Sequence, residues 1–535
     1  MSFRRFGTMI DCSRNAVLKP EKVKEWIDIS ADLGYNALML YTEDTYEIEG
    51  HPYFGHLRGR YSGEELRDLD SYAAQKGVEL IPCIQTLAHL NAIFEWSVYN
   101  DIRDCNDILL AENEKTYALI DAMFASLAKN FTTKTVHIGM DEAHMIGRGK
   151  YQDIHGFVDR SEILVHHLQK VSALAEKYGF TLMMWGDMFI RLINGGEYYG
   201  DCKVDDTIRA KVPQNVQLVY WDYYSTDTAH YEKQIQVHNA IKDETVFAGG
   251  LWCWTGFAPR NDYSMRATAA ALAACKAGGV SDVFLTLWGD DGGECSRFAT
   301  LPSLYYAAAV RDGITDIEEI KAGFLAKYGI PFEDFRLLDL PDTPNDRAQS
   351  THNPEKYMLY NDCLMGKMDA LIAPQDGAEY AACAKKLRAV QAGQFAYLFD
   401  AAAALCDVLA IKADLGLRTR KAYLDGNHAV LAALVPMYSE TKIRIEAFYT
   451  AYRTQWMTEN KPHGFDVQDI RLGGLIRRVA HCQERIEQYL NGEISRIEEL
   501  EEPVLHLRGK GENTPPETVC HNRWGAIASA NVVTW

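Results

Sequence analysis

The strongest constraint on the fold is a recurring pattern: eight short apolar runs, each followed by an amphipathic or connecting stretch, fill the first 325 residues. The runs are 6–12, 37–42, 79–85, 134–141, 181–186, 216–223, 245–252 and 282–288. Helical periodicity marks 20–34, 63–76, 114–130, 161–178, 229–242, 265–277 and 303–311; in the first of these Val23, Trp26, Ile27 and Ala31 share a face. The runs are apolar throughout rather than alternating, as expected of strands buried on both sides. Their starts lie about 30 to 55 residues apart, room for a strand, a helix and in places a long loop. Eight such units close into a (β/α)8 TIM barrel. A doubly wound open sheet is the rival, but no Gly-x-Gly-x-x-Gly follows the first run. The expected fold class is α/β, a TIM barrel over 1–325 followed by a C-terminal α-helical domain.

Beyond residue 325 the character changes. Residues 334–354 read as loop, with Pro341, Pro344 and Pro354; 355–461 are nearly all helix formers, and 472–499 return to helix. A helical domain over 326–508 and a tail over 509–535 are expected. At 535 residues the chain exceeds one compact core. Its 47% apolar and 24% charged composition excludes a largely disordered chain. No apolar run reaches the ~18–20 residues that cross a bilayer, and residues 1–7 lack the apolar core of a signal peptide. Twelve cysteines are scattered without a Cys-x-x-Cys pair, which reads as reduced thiols and a cytoplasmic location. A net charge of −19 repels phosphate backbones and anionic lipid, so no nucleic-acid or membrane partner is expected. A homodimer is left open.

In such a barrel the chemistry sits where strands end. Those positions hold Thr42-Glu43-Asp44, Gln85 with His89, His137, Asp141-Glu142, Trp185-Gly-Asp187, Trp221-Asp-Tyr223-Tyr224, Trp252-Cys-Trp254 and Trp288-Gly-Asp290. A single tryptophan normally fills a core. Four successive strands ending in one, each close to a carboxylate or tyrosine, instead suit a sugar ring, whose C–H faces stack while its hydroxyls need polar partners. Adjacent Asp141 and Glu142 cannot share a pocket inside a regular strand, since successive side chains point to opposite faces, but can where the strand stops. Two crowded carboxylates also separate into one acid and one anion near neutral pH. A surface or helix-capping Asp-Glu pair is the alternative.

The segment His137-Ile-Gly-Met-Asp141-Glu142 resembles the His-x-Gly-Gly-Asp-Glu motif of glycoside hydrolase family 20, the β-N-acetylhexosaminidases, with Met140 at the second glycine. Further pieces follow in order: Ile10-Asp11-Cys-Ser-Arg14 resembles Leu-Asp-x-x-Arg, and Leu40-Tyr-Thr-Glu-Asp44 resembles Leu-Thr-Asp-Asp. The stretch Ile81 to His89 resembles Ile-Pro-Glu-Ile-Asp-Met-Pro-Gly-His, and Trp288-Gly-Asp290 resembles Trp-x-Glu. The likeness covers 5–300. It departs at Phe6, where the family has an Arg, at Cys83 and Gln85, where it has Glu and Asp, and in having no recognisable small α+β domain ahead of the barrel.

The resemblance implies an exo-acting, retaining enzyme that removes terminal GlcNAc or GalNAc, its substrate's own 2-acetamido oxygen attacking the anomeric carbon. By analogy Glu142 is the acid and base and Asp141 orients the acetamido group. Tyr223 (or Tyr224) bonds the acetamido oxygen, and Trp185, Trp221, Trp254 and Trp288 box in the sugar. Arg14 and Asp290, or Glu294, meet the ring hydroxyls. His89 and His137 position the carboxylates, and Asp44 pairs with His89. No cofactor or metal is implied, and the substrate is a small glycan or glycoside, as suits an intracellular branch processing glycan fragments. Two other readings stand beside it: a metal-dependent hydrolase using His89, His137, Asp141 and His144, and a silent N-acetylhexosamine-binding barrel. Segment 454–469 reads as a helix–helix connection, or as a reach over a pocket with Trp456 as its contact.

Overall fold

A computed structural model of the chain describes residues 3–200, 204, 206–344, 353–505 and 522–532. The chain divides into two compact units. One comprises Met1–Leu251, Tyr263–Trp288 and Tyr305–Thr315; the other comprises Trp252–Asp262, Gly289–Leu304 and Asp316–Trp535.

The first unit carries a closed parallel barrel. Its strands are β1 (Arg5–Asp11), β2 (Ala37–Glu43), β3 (Glu79–Ile84), β4 (Thr135–His137), β5 (Thr181–Trp185), β6 (Val216–Trp221), β7 (Val246–Gly250) and β8 (Asp282–Leu287). β8 pairs back onto β1, from Arg5 opposite Asp282 to Ile10 opposite Leu287. Strands that read as uniformly apolar prove buried on both sides, but their two faces do different work. Met9, Met39, Tyr41, Ile81, Cys83, Met183, Trp185, Val219, Ala248 and Phe284 form one interior cluster. Residues two apart along a strand share that cluster, so the strand period of two persists inside a continuously apolar sequence. Trp221 and Trp288 pack against it while only partly buried.

Charge pairs gather at the starting ends of the strands. Arg5 donates to Glu79 at 2.7 Å, to Asp282 at 3.2 Å and to Thr135 at 2.9 Å. Arg4 makes a two-pronged bond to Asp282 at 2.9 and 2.7 Å.

β4 is shorter than its apolar run. Pairing with β3 is confined to Cys83 opposite His137, because Gly139, Met140 and Glu142 all take left-handed backbone. A strand cannot continue through such residues. A small antiparallel pair, Arg103–Cys105 with Ile108–Leu109, lies in the long β3–β4 connection and had no signal in the sequence.

The second unit is mostly helical, with helices Pro354–Tyr360, Asp376–Ala389, Ala396–Lys412, Leu415–Leu424, His428–Glu459 and Phe465–Leu490. Stretch Gly393–Leu424 is long and apolar enough to span a membrane by composition alone. It is interrupted at Ala413-Asp414, and Leu398, Leu405, Val408 and Leu409 are buried in the unit, as in a core helix. Segment 454–469 is mainly helix, with its connection shortened to 460–464. Trp456 is buried, donates to the Lys461 carbonyl at 3.0 Å and packs against Phe465, so it is a core residue. Of the expected tail, 522–532 is described, and there the Trp524 amide donates to Asp291 at 2.6 Å. Residues 509–521 and 533–535 lie outside the described residues.

Candidate active site

The end of β4 sets the geometry. Gly139 has φ +70°, and a Cβ there would meet the Gln85 carboxamide 2.1 Å away, so that position requires glycine. The same Gln85 accepts from the Met140 amide at 3.0 Å and donates to Asp141 at 2.6 Å and to the Tyr41 hydroxyl at 2.9 Å. Met140 and Glu142 are left-handed too, at φ 68° and 52°. Non-glycine residues held this way store roughly 1–3 kcal/mol each, and such strain gathers at functional sites. The strand ends at His137, and the two acids follow on the turn as consecutive residues. His89 Nε2 lies 3.3 Å from Asp141 Oδ2 and 3.7 Å from Glu142 Oε2.

The two acids differ in environment. Asp141 is buried, whereas the Glu142 side chain is 42% exposed. Burial works against the Asp141 anion, but the His89 charge and the bonds from His89 and Gln85 hold its carboxyl below the usual range. Burial favours the neutral His89 ring, yet the Asp141 carboxylate outweighs it and lifts the imidazole to about 9. A third carboxyl lies behind the pair: Asp187 accepts from the Glu142 amide at 3.1 Å. Burial, reinforced by the Asp141 charge, pushes Asp187 up to about 7.

Aromatic rings surround the acids. Trp185 packs against His137 at 4.2 Å and Trp288 at 5.9 Å, and Trp288 meets Tyr41 edge-on at 4.9 Å. Trp288 Nε1 donates to the Tyr223 hydroxyl at 3.0 Å, and Tyr223 stacks on Trp221. Trp185 is part of the barrel core, and Trp221 and Trp288 top it. Tyr223 is buried and tied into the wall; Tyr224 is 55% exposed. His137 is fully buried and accepts from the Gly139 amide at 3.1 Å, and burial lowers it to about 3, so it is a neutral support beneath Trp185.

Arg14 pairs with Glu43 at 3.0 Å, joining the ends of β1 and β2. Asp44 pairs with Arg58 at 3.0 Å, and His89 turns to the acids instead: the expected Asp44–His89 pair is corrected. Trp254, Asp290 and Glu294 belong to the second unit. There Trp254 stacks on Trp252 at 4.7 Å, and Asn522 donates to Asp290 at 3.4 Å. Glu294 receives Lys356 at 2.6 Å and Arg471 at 2.9 Å, a buried structural charge cluster. Among the described residues no three His, Cys, Asp or Glu side chains are grouped to hold a metal ion, the metal-hydrolase quartet included.

Sequence reasoning missed Tyr198, which donates to Glu142 Oε1 at 2.8 Å from the loop after β5, and the roles of Gln85, Tyr41 and Asp187 in the acid pair. Gln85 and Asp187 stood at strand ends; only Tyr198 lacked a local signal.

A carboxylate pair under an aromatic wall, at the mouth of a parallel eight-stranded barrel, is the layout of a carbohydrate-cleaving barrel. Two family models match the chain: "Glycosyl hydrolase family 20, catalytic domain" over residues 2–244 and "Glycoside Hydrolase 20C C-terminal domain" over 333–521. Hexosaminidase D of Bos taurus is 24% identical over 238 residues, covering 42% of this chain and 63% of that protein. Hexosaminidase D of Homo sapiens is 23% identical over 226 residues, covering 41% and 44%. The chain thus spans about half the length of these curated relatives. A solved exo-β-N-acetylglucosaminidase from Vibrio harveyi, in complex with N-acetylglucosamine, matches with a TM-score of 0.48 and 16% identity, covering 63% of this chain and 58% of that one. The chain belongs to glycoside hydrolase family 20.

Proposed function

We propose that the protein is an exo-acting, retaining β-N-acetylhexosaminidase that removes terminal GlcNAc or GalNAc from small glycans by substrate-assisted catalysis. One observation carries the reading: Asp141 and Glu142 are consecutive residues on the left-handed turn that follows β4, both within 3.7 Å of His89 Nε2. Ordinary retaining pairs flank the anomeric carbon from opposite faces, about 5–5.5 Å apart. Consecutive acids on one turn are poorly placed to straddle a sugar, which leaves the attack to the substrate, a role its 2-acetamido oxygen can fill.

Glu142, the more exposed acid, then protonates the leaving oxygen and later activates water. Asp141, kept ionised by His89 and Gln85, accepts the acetamido N–H and braces the positive charge that develops. Tyr223 bonds the acetamido oxygen, with Trp185, Trp221 and Trp288 around the methyl group and ring face. Arg14 meets ring hydroxyls. The ten described cysteines are free thiols, nine of them buried, which fits a cytoplasmic setting.

Hydrolysis of an aryl β-N-acetylglucosaminide, with and without EDTA, is the direct test. Wild type is expected to turn it over, insensitive to EDTA, and to leave the matched β-glucoside nearly untouched. Glu142→Gln should lose roughly 10²–10⁴-fold in kcat on a substrate with a poor leaving group. Equal rates on glucoside and N-acetylglucosaminide would remove the acetamido group from the mechanism; binding without turnover would leave the silent barrel.

A further inference from the structure

Glu142 has a neighbour whose hydrogen-bonding sense can be counted. The Tyr198 hydroxyl lies 2.8 Å from Glu142 Oε1 and 2.9 Å from His144 Nε2. A phenol carries one hydrogen, and an ionised carboxylate can only accept. The hydrogen therefore goes to Glu142, and the contact with His144 is an Nε2–H donated to the phenol oxygen. His144 is then the Nε2–H tautomer with Nδ1 bare, and Nδ1 is buried without a hydrogen-bond partner. Burial, helped by the Arg191 charge, lowers His144 and keeps it neutral. The ring of Tyr198 is fixed on both sides, with the Arg191 guanidinium 4.4 Å from its centre and Trp221 at 5.3 Å. The charged and titratable groups acting on this pair are Glu142, Asp187, His89, Arg191 and Arg160.

We infer that Tyr198, held in its donor sense by His144, decides which oxygen of Glu142 carries the transferable proton. In a neutral carboxyl the carbonyl oxygen is the stronger acceptor and the hydroxyl oxygen the weaker one. With Oε1 receiving the Tyr198 hydrogen, the carbonyl form is favoured there and the acidic hydrogen is drawn to Oε2, the oxygen on the His89 and Asp141 side. The proton meant for the leaving group is thereby kept where the sugar must lie. Tyr198 is a positioning residue, acting through Glu142. The inference rests on the hexosaminidase reading above.

The test compares kcat/KM for two β-N-acetylglucosaminides, one with a dinitrophenyl group, which departs without a proton, and one with a methyl group, which needs one. Tyr198→Phe should lower the methyl value about 10-fold or more, part of the ~10²–10⁴ that a general acid supplies, and the dinitrophenyl value less than about two-fold. His144→Phe should show the same split, and His144→Gln, whose amide can still donate, should restore most of the methyl value. Because the readout is a ratio within one preparation, loss of folded protein cancels. Equal losses on both substrates, or no loss on the methyl glycoside, would overturn the inference. Wild type inert towards both would overturn the hexosaminidase reading first, and this inference with it.

Discussion

The two ends of the barrel are built from the same eight strands and handle buried charge in opposite ways. At the starting ends, fully buried Asp282 is matched by Arg4 and Arg5, and Arg5 also reaches Glu79 and Thr135. At the finishing ends, Asp141 and Asp187 are both buried carboxyls with one imidazole, His89, beside the acid pair. Four non-glycine residues there, Glu43, His89, Met140 and Glu142, hold left-handed backbone. Asp187 Oδ1, His137 Nε2 and Trp185 Nε1 are buried without hydrogen-bond partners. Satisfied polar groups stabilise a fold; strained and unsatisfied ones persist where function holds them. Left-handed Glu244 and the unpartnered Asn215 Nδ2 and Thr245 Oγ1 occur at the starting ends too, so it is the pairing of buried carboxylates with arginine that separates the two ends.

The sharpest way to break that division is to unpair the structural end. Asp282→Asn takes the carboxylate from Arg4 and leaves Arg5 with Glu79 alone. Breaking a buried pair costs about 3–5 kcal/mol, and the low end applies because Arg4 is half exposed. Thermal unfolding should drop by several degrees while kcat per folded molecule stays within about two-fold. A variant with unchanged stability, or with a large kcat loss, would erase the distinction.

The same division explains what could be read from the sequence. All eight strands were legible because burial on both sides leaves long apolar runs, and helix 114–130 was bounded correctly. Asp141, Glu142, Trp185, Trp221 and Tyr223 were legible because they stand where those runs stop. The early end of β4 was not: it follows from backbone dihedrals at Gly139, Met140 and Glu142, of which only the glycine is visible as a letter. Tyr198 was hidden because it comes from a loop whose path no local pattern encodes, and it reaches Glu142 across 56 positions. Asp44 was mispaired because sequence order cannot say whether Arg58 or His89 lies closer.

A smaller effect separates the ends by pH. His89 is raised from 6.5 to about 9 by Asp141. A histidine raised on folding contributes stability that is complete below its unfolded value and lost as pH rises through its folded value. Unfolding temperature should therefore decline between about pH 6.5 and 9, and kcat/KM should fall along an alkaline limb near pH 9 as Asp141 loses its partner. His89→Gln should remove that limb and start from a lower plateau. A limb of the same position in His89→Gln would assign the titration elsewhere.

The smallest expected effect isolates Asp187. Its folded value, about 7, lies above the ordinary carboxyl value of 3.8. Between those two pH values the folded state binds the extra proton, so stability falls as pH rises from about 4 to 7 and levels off above. This window lies mostly below that of His89, so the two can be separated in one titration of unfolding temperature. Asp187→Asn cannot ionise and should flatten the lower window alone. Its amide can still accept from Glu142 through Oδ1, so the left-handed turn carrying the acid should survive with activity lowered only a few-fold, below the ~10²–10⁴-fold loss expected from removing the acid itself. If instead the lower window persists unchanged in Asp187→Asn, the proton is being taken up by another carboxyl, and Glu43, which burial also raises, is the next to test.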